Sequence, residues 1–168
     1  EKNEKLKKFA KNYASTMKIN VVAVGKIKDK HFEQAVLEYA KMLSRFCDLN
    51  IREVAEAAPS KTCAEQLADE GARILQCLSG YVVALDKDGE NLSSEQFAAL
   101  LDKKATEGQS AFTFVIGGSN GLCQSVKARA DIILSFGAMT FPHRLFRVML
   151  LEQIYRALSI NAGLPYHK

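Results

Sequence analysis

The chain has 168 residues, 48% of them apolar, and a formal net charge of +4. That is enough for one domain around one core, and two domains would be cramped. No run approaches the roughly 20 apolar residues of a membrane span, and no apolar signal segment stands near the start, which predicts a cytoplasmic protein with no membrane partner.

Residues 1 to 16, "EKNEKLKKFAKNYAST", hold five lysines and two glutamates and precede "MKINVVAVGK". They read as an appended leader ahead of a native start at Met17, with a single domain over residues 17–168. Five minus two removes +3 of the formal +4, so the body is nearly neutral. Its charge is uneven: residues 31–110 carry 8 basic and 14 acidic side chains, residues 117–168 carry 6 and 2. A polyanion partner is therefore expected to meet the C-terminal third. Cys47, Cys63, Cys77 and Cys123 form no C-x-x-C pair and share no ligand spacing with the three histidines. Free thiols are expected, with no metal and no disulfide framework.

Taken in order, "INVVAVG" is a short β-branched run and "HFEQAVLEYAKMLSRF" places Phe32, Ala35, Val36, Tyr39, Met42 and Leu43 at helical spacing. "LNIREVAEA" predicts a strand, "TCAEQLADEGARILQCL" a helix and "YVVALD" a strand ending near Leu85. "SSEQFAALLDKKA" predicts a helix opened by a capping box, Ser93 with Gln96. "AFTFVIGG" is a fourth strand, Leu122 to Ala130 a short helix, "DIILSFG" a fifth strand, and a long helix starts at about Pro142. Five strands alternating with five helices predict an α/β domain with a mainly parallel sheet and helices on both faces.

Three glycine-containing loops follow strands of this sheet: "LDKDGENL", "IGGSNG" and "SFGAMTFPHR". G-G-S-N-G matches neither the dinucleotide G-x-G-x-x-G nor the P-loop, so triphosphate chemistry is disfavoured. Glycine at a strand's carboxyl end lets backbone approach a ligand, and open α/β sheets bind ligands there. Taken alone the second loop is as consistent with a plain turn; three such loops favour a crevice. Phe136, Met139 and Phe141 add apolar surface suited to a flat heterocycle.

"VIGGSNGL", "LSFGAMTFPHRLFRVMLLEQIYRA" and the terminal "PYHK", with "VAVGK" and "LDKDGENLSS", resemble the bacterial large-subunit rRNA pseudouridine N3-methyltransferases of the SPOUT class, from Met17 to Lys168. The resemblance implies a C-terminal trefoil knot, a homodimer, and S-adenosylmethionine-dependent methylation of N3 of a pseudouridine in 23S rRNA. Near neutrality of the body favours the assembled ribosome as substrate over generic polyanion attraction. Motif by motif, the resemblance assigns the cofactor site to Leu85, Gly117, Phe136, Gly137, Ala138, Met139, Thr140 and Phe141. Asn120 and Gly121 are left to the turn. A ribosome-assembly factor and an ordinary nucleotide-binding enzyme are the rival classes.

The last helix carries apolar residues all round its axis, from Leu145 to Ile160, which predicts a subunit contact through Leu151 or Tyr155. Glu152 and Arg156 sit at i,i+4, an intrahelical pair worth about 0.3 to 0.5 kcal/mol. The resemblance makes Arg156 a substrate contact. Gly163 and Pro165 forbid further helix, so Tyr166, His167 and Lys168 read as a tail, and termini are usually frayed. An aromatic, an imidazole and a cation can also stack on a base, move a proton and pair with phosphate. The resemblance brings this tail near the methyl donor, with Lys168 in place of the arginine usual there. His167 and Tyr166 are thus catalytic expectations with Arg156, and Arg144, Arg147 and Lys168 are expected at RNA phosphates.

Overall fold

The computed structural model describes residues 17–167. Residues 1–16, expected above to be a leader, and Lys168 lie outside the described residues. Five strands, β1 (Lys18–Val24), β2 (Asp48–Val54), β3 (Tyr81–Asn91), β4 (Ala111–Ile116) and β5 (Ile132–Ser135), alternate with helices α1 (Lys30–Leu43), α2 (Cys63–Leu75), α3 (Ser94–Thr106), α4 (Gln124–Arg129) and α5 (His143–Asn161). The sheet has the order β2-β1-β4-β3-β5 with every pair parallel. Fold class and element order agree with the reading of the periodicity.

Strand alternation divides the core in two. Ile19, Val21 and Ala23 of β1, Val83 and Leu85 of β3, and Phe112, Phe114 and Ile116 of β4 pack on the face covered by α1, α3 and α5. Val22, Val24, Val82, Ala84 and Val115 face α2 and α4. The predicted N-terminal signature is used: Ser93 and Gln96 close a capping box on α3, and a second one, Thr62 with Glu65, opens α2.

Two expectations are corrected here. β3 does not end near Leu85 but continues to Asn91, pairing with β5 at Leu85↔Leu134 and again at Glu90↔Leu134 across an irregularity. The chain between these pairs folds so close to β5 that a Cβ at Gly89 would lie 2.6 Å from the Ile133 carbonyl oxygen. Pro142 is the N-cap of α5 rather than its first helical residue.

α5 explains its all-round apolarity inside the protomer. It packs over the sheet between α1 and α3, burying Leu150, Leu151, Ile154, Tyr155 and Leu158. Leu151 is fully buried and Tyr155 is 7% exposed, so neither is available to a second subunit. The helix ends in a Schellman motif: Gly163, at φ +67, donates to Ile160 O, and Leu164 donates to Ser159 O.

Candidate active site

A cleft of about 510 Å³ opens at the carboxyl ends of β3, β4 and β5. The loops after β4 and β5 wall it, together with the irregular stretch of β3 near residues 85–88. Leu85, Gly117, Phe136, Gly137, Met139, Thr140 and Phe141 all line it, whereas Ala138 is exposed in the same loop and contributes no lining.

Each wall has its own local cause. After β4, Gly121 N–H donates to Gly118 O at 3.0 Å and closes a tight turn, with Gly121 at φ +79. Gly117 is glycine for a reason internal to that turn: a Cβ there would lie 2.4 Å from the Gly121 carbonyl oxygen. Asn120 fixes the turn to α2 through Gln66 at 2.6 Å. After β5, the Ser135 hydroxyl joins two walls, reaching Lys87 O at 3.0 Å and accepting from Gly137 N–H at 3.1 Å. Gly137 sits at φ +125, left-handed backbone that favours glycine. Phe136 and Phe141 grip Phe146 of α5 at ring distances of 4.9 and 6.4 Å, while Met139 stands 77% exposed on the rim.

The cleft also holds an ion pair that pattern reading does not single out. Lys127 of α4 meets Asp86 at 2.7 Å. Burial pushes the Asp86 carboxyl up, but the Lys127 hydrogen bond and the Asp88 N–H outweigh it and leave it below its ordinary value. His143, the first residue of α5, lines the same cleft.

Arg156, Tyr166 and His167 come together elsewhere, and none of them lines this cleft. The described part of the tail is packed rather than frayed. The Tyr166 ring meets Tyr155 edge-on at 4.7 Å and lies under the Arg156 guanidinium at 4.9 Å. Glu152 is the hub: one carboxylate oxygen accepts from Arg156 Nε at 3.0 Å and from the Tyr166 hydroxyl at 3.2 Å. Burial, with a hydrogen bond to Tyr39, pushes the Tyr166 phenol up to about 12. Arg156 faces His167 Nδ1 at 3.2 Å and Glu95 faces Nε2 at 2.7 Å. Because guanidinium only donates and carboxylate only accepts, the imidazole is assigned as the tautomer with its proton on Nε2. The Glu95 carboxyl is held down to about 2 by its own backbone N–H, then by Ser93 and His167. The i,i+4 spacing to Arg156 marks Glu152, whereas no motif marks Glu95.

Two expected RNA contacts are already engaged. Arg147 is 1% exposed, bound to Glu53 and, at 3.0 Å, to the Gly25 carbonyl, so no phosphate reaches it. Arg144 is paired with Asp29.

The family model described as "Predicted SPOUT methyltransferase" matches residues 17–167. The chain belongs to the SPOUT methyltransferase family. Among curated relatives, this SPOUT methyltransferase is 51% identical over 159 residues to the "Ribosomal RNA large subunit methyltransferase H" of Carboxydothermus hydrogenoformans and 48% identical over 159 residues to that of Clostridium acetobutylicum. Each match covers 90% of this chain and 100% of the relative. A solved structure described as a probable methylase family protein from Haemophilus influenzae superposes with a TM-score of 0.53 at 12% identity, over 89% of this chain and 70% of that one, a likeness of fold alone.

Among the described residues no group of three or more His, Cys, Asp or Glu side chains is arranged to hold a metal ion, and no helix is long and apolar enough to cross a membrane.

Proposed function

We propose that this SPOUT methyltransferase uses S-adenosylmethionine to methylate N3 of a pseudouridine in large-subunit (23S) rRNA. The reading is supported above all by the cleft, which gathers the loops that the family resemblance assigns to the cofactor, in a chain 46–51% identical to relatives named for that ribosomal subunit.

The cleft suits the cofactor chemically. Its volume falls within the roughly 300–1,000 Å³ of small-molecule sites. Leu85, Ile116, Leu122, Phe136 and Phe141 offer apolar walls for an adenine ring, and glycine backbone lies open for polar contacts. Asp86 and Asp88 balance Lys87 and Lys127, a mixed field suited to a ligand bearing both an ammonium and a carboxylate. When bound, the cofactor would supply a methyl group already activated by a sulfonium, without a metal. The protein's task is then alignment and management of the N3 proton, and alignment is the larger part.

In this reading His167 accepts or steers that proton, and Tyr166 and Arg156 hold the nucleotide. The tail does not line the cleft of its own protomer, so its role is completed by a homodimer in which one tail meets the partner's cleft. An open groove of about 490 Å³, lined by Tyr39, Phe97, Phe136, Val148, Met149 and Glu152, is the contact surface in this reading. It replaces Leu151 and Tyr155 in that part. Light scattering should give a dimer at micromolar concentration and a monomer for Met149→Asp; a wild-type monomer removes this element.

Calorimetric titration with S-adenosylmethionine, ATP and NAD tests the cofactor, and only the first should bind. Labelled methyl transfer to large-subunit particles and to free 23S rRNA, followed by mapping of the modified base, tests the rest. No heat with S-adenosylmethionine, or a methyl group on another atom, refutes the proposal.

A further inference from the structure

The loop joining β1 to α1, residues 25–29, is neither strand nor helix, yet from Lys26 to Lys30, the first residue of α1, exposure alternates strictly. Lys26, Lys28 and Lys30 are exposed; Ile27 and Asp29 are half-buried. Such alternation, with Asp29 extended at φ −84 and ψ 118, fits a run with one set of side chains anchored and the other presented.

The anchors are specific. Gly25 N–H donates to Val54 O at 2.9 Å, and Arg147 donates to Gly25 O from its buried position in α5. Ile27 N–H donates to Glu53 at 3.2 Å, and Glu53 is itself the ion-pair partner of Arg147. Asp29 stands at the N-cap of α1, makes no cap hydrogen bond with its side chain, and pairs instead with Arg144. The two carboxylates that anchor this loop, Glu53 and Asp29, are thereby paired with arginines. Lys26, Lys28 and Lys30 take part in no salt bridge among the described residues. Glu33, one turn into α1, and Glu56, against Gly25, are the opposing charges at its margins.

The arginine that binds Asp29 also ties the loop to the start of α5. Arg144 follows His143, which lines the cleft, although no residue of the loop lines the cleft itself. Alternate residues of an extended chain stand about 6.6 Å apart, of the same order as the phosphate repeat along a polynucleotide strand.

We propose that Lys26, Lys28 and Lys30 form a preset comb that binds the phosphate backbone of the RNA strand leading to the cleft, guiding the target base toward it. The inference rests on the proposed rRNA substrate. It moves part of the phosphate contact from the C-terminal third to the first loop of the domain, and gives Arg144 and Arg147 the work of setting that loop instead of touching RNA. Lysine suits such a role, because a point charge reads phosphate without reading sequence.

The test compares wild type with Lys26→Ala/Lys28→Ala/Lys30→Ala and with the triple Arg variant. Fluorescence polarisation with a 23S rRNA fragment is run across a salt series, beside methyl transfer to large-subunit particles. The Ala variant should lower the slope of log affinity against log salt by about 2 to 3, and raise KM for the particle about tenfold or more at low salt. The Arg variant should stay within about twofold of wild type, since phosphate contact needs only charge at these positions. Cofactor heat, measured in parallel, should be unchanged in both. If the wild type methylates rRNA and the Ala variant has the same slope and KM, the comb is wrong and the enzyme assignment stands. If the wild type transfers no methyl group, the assignment fails, and the binding series still decides the comb: equal slopes, or no binding by wild type, overturn it.

Discussion

The cleft and the tail platform are built from opposite materials. At the cleft, backbone does most of the shaping: Gly117, Gly121 and Gly137 set the loops, and ordered side chains such as Ser135 serve to tie one loop to another. At the tail, backbone merely delivers Tyr166 and His167 past the Schellman turn, and side chains from α1, α3 and α5 do the holding. A backbone-built site fails through geometry, abruptly. A side-chain network fails through the loss of single bonds, each worth about 0.5 to 1.5 kcal/mol or up to about 3 when charged.

The largest effect is therefore expected at Gly117. Gly117→Val should abolish the heat of cofactor binding, because the first added carbon already collides with the Gly121 carbonyl at 2.4 Å and the turn must open. Circular dichroism should show the domain still folded. Gly121→Ala is the control in the same loop: no atom stands within 4 Å of its Cβ, leaving only a backbone cost of about 1 to 2 kcal/mol at φ +79. Equal behaviour of the two variants would show that the turn does not shape the site.

Next comes the tail. His167→Ala should slow single-turnover methyl transfer by about 10² to 10⁴-fold if the imidazole moves the proton, with cofactor heat unchanged. A loss under about tenfold would leave His167 a positioning role. Leu151→Ala, deep in the core between the two regions, should cost about 2 to 5 kcal/mol in denaturant unfolding and leave association unchanged.

What could be read from the chain follows the same division. Strands, helices and the three loops of the cleft were legible because alternation, helical spacing and strand-end glycines are local signals. Even so, Gly117 is glycine to fit its own turn, where a Cβ would meet the Gly121 carbonyl, a reason of turn geometry that the strand-end pattern does not carry. The continuation of β3 was hidden because "DKDGEN" has turn composition, and its pairing with Leu134 and Ser135 of β5 makes it strand. Arg147 read as a surface cation because its partners, Glu53 and Gly25, lie about 94 and 122 positions away in the chain. Glu95 was missed for the same reason, its partner His167 lying 72 positions on, whereas Glu152 was legible as the i,i+4 partner of Arg156 and only its bond to Tyr166 was not. The knot implied by the family is a property of threading, which periodicity and strand order do not express.

The smallest effect, and the finest test of the contrast, is the pH range over which the tail stays docked. Tyr166 has its phenol pushed up to about 12, chiefly by burial, so the docked state favours the neutral form. That contribution is complete below the ordinary tyrosine value near 10 and is lost as pH rises toward 12. Glu95 is held down to about 2, so its contribution is present above the ordinary glutamate value near 4.3 and is lost as pH falls toward 2. Neither group changes charge between about pH 5 and 9, and neither should drive undocking in that interval. Ultraviolet titration of wild type against Tyr166→Phe isolates the one phenol; a difference midpoint near 12 means the tail is packed in solution as described. A midpoint near 10 would mean that the ring is solvated, that Glu152 and Arg156 do not hold it, and that the platform is no more than a resting place for a mobile end.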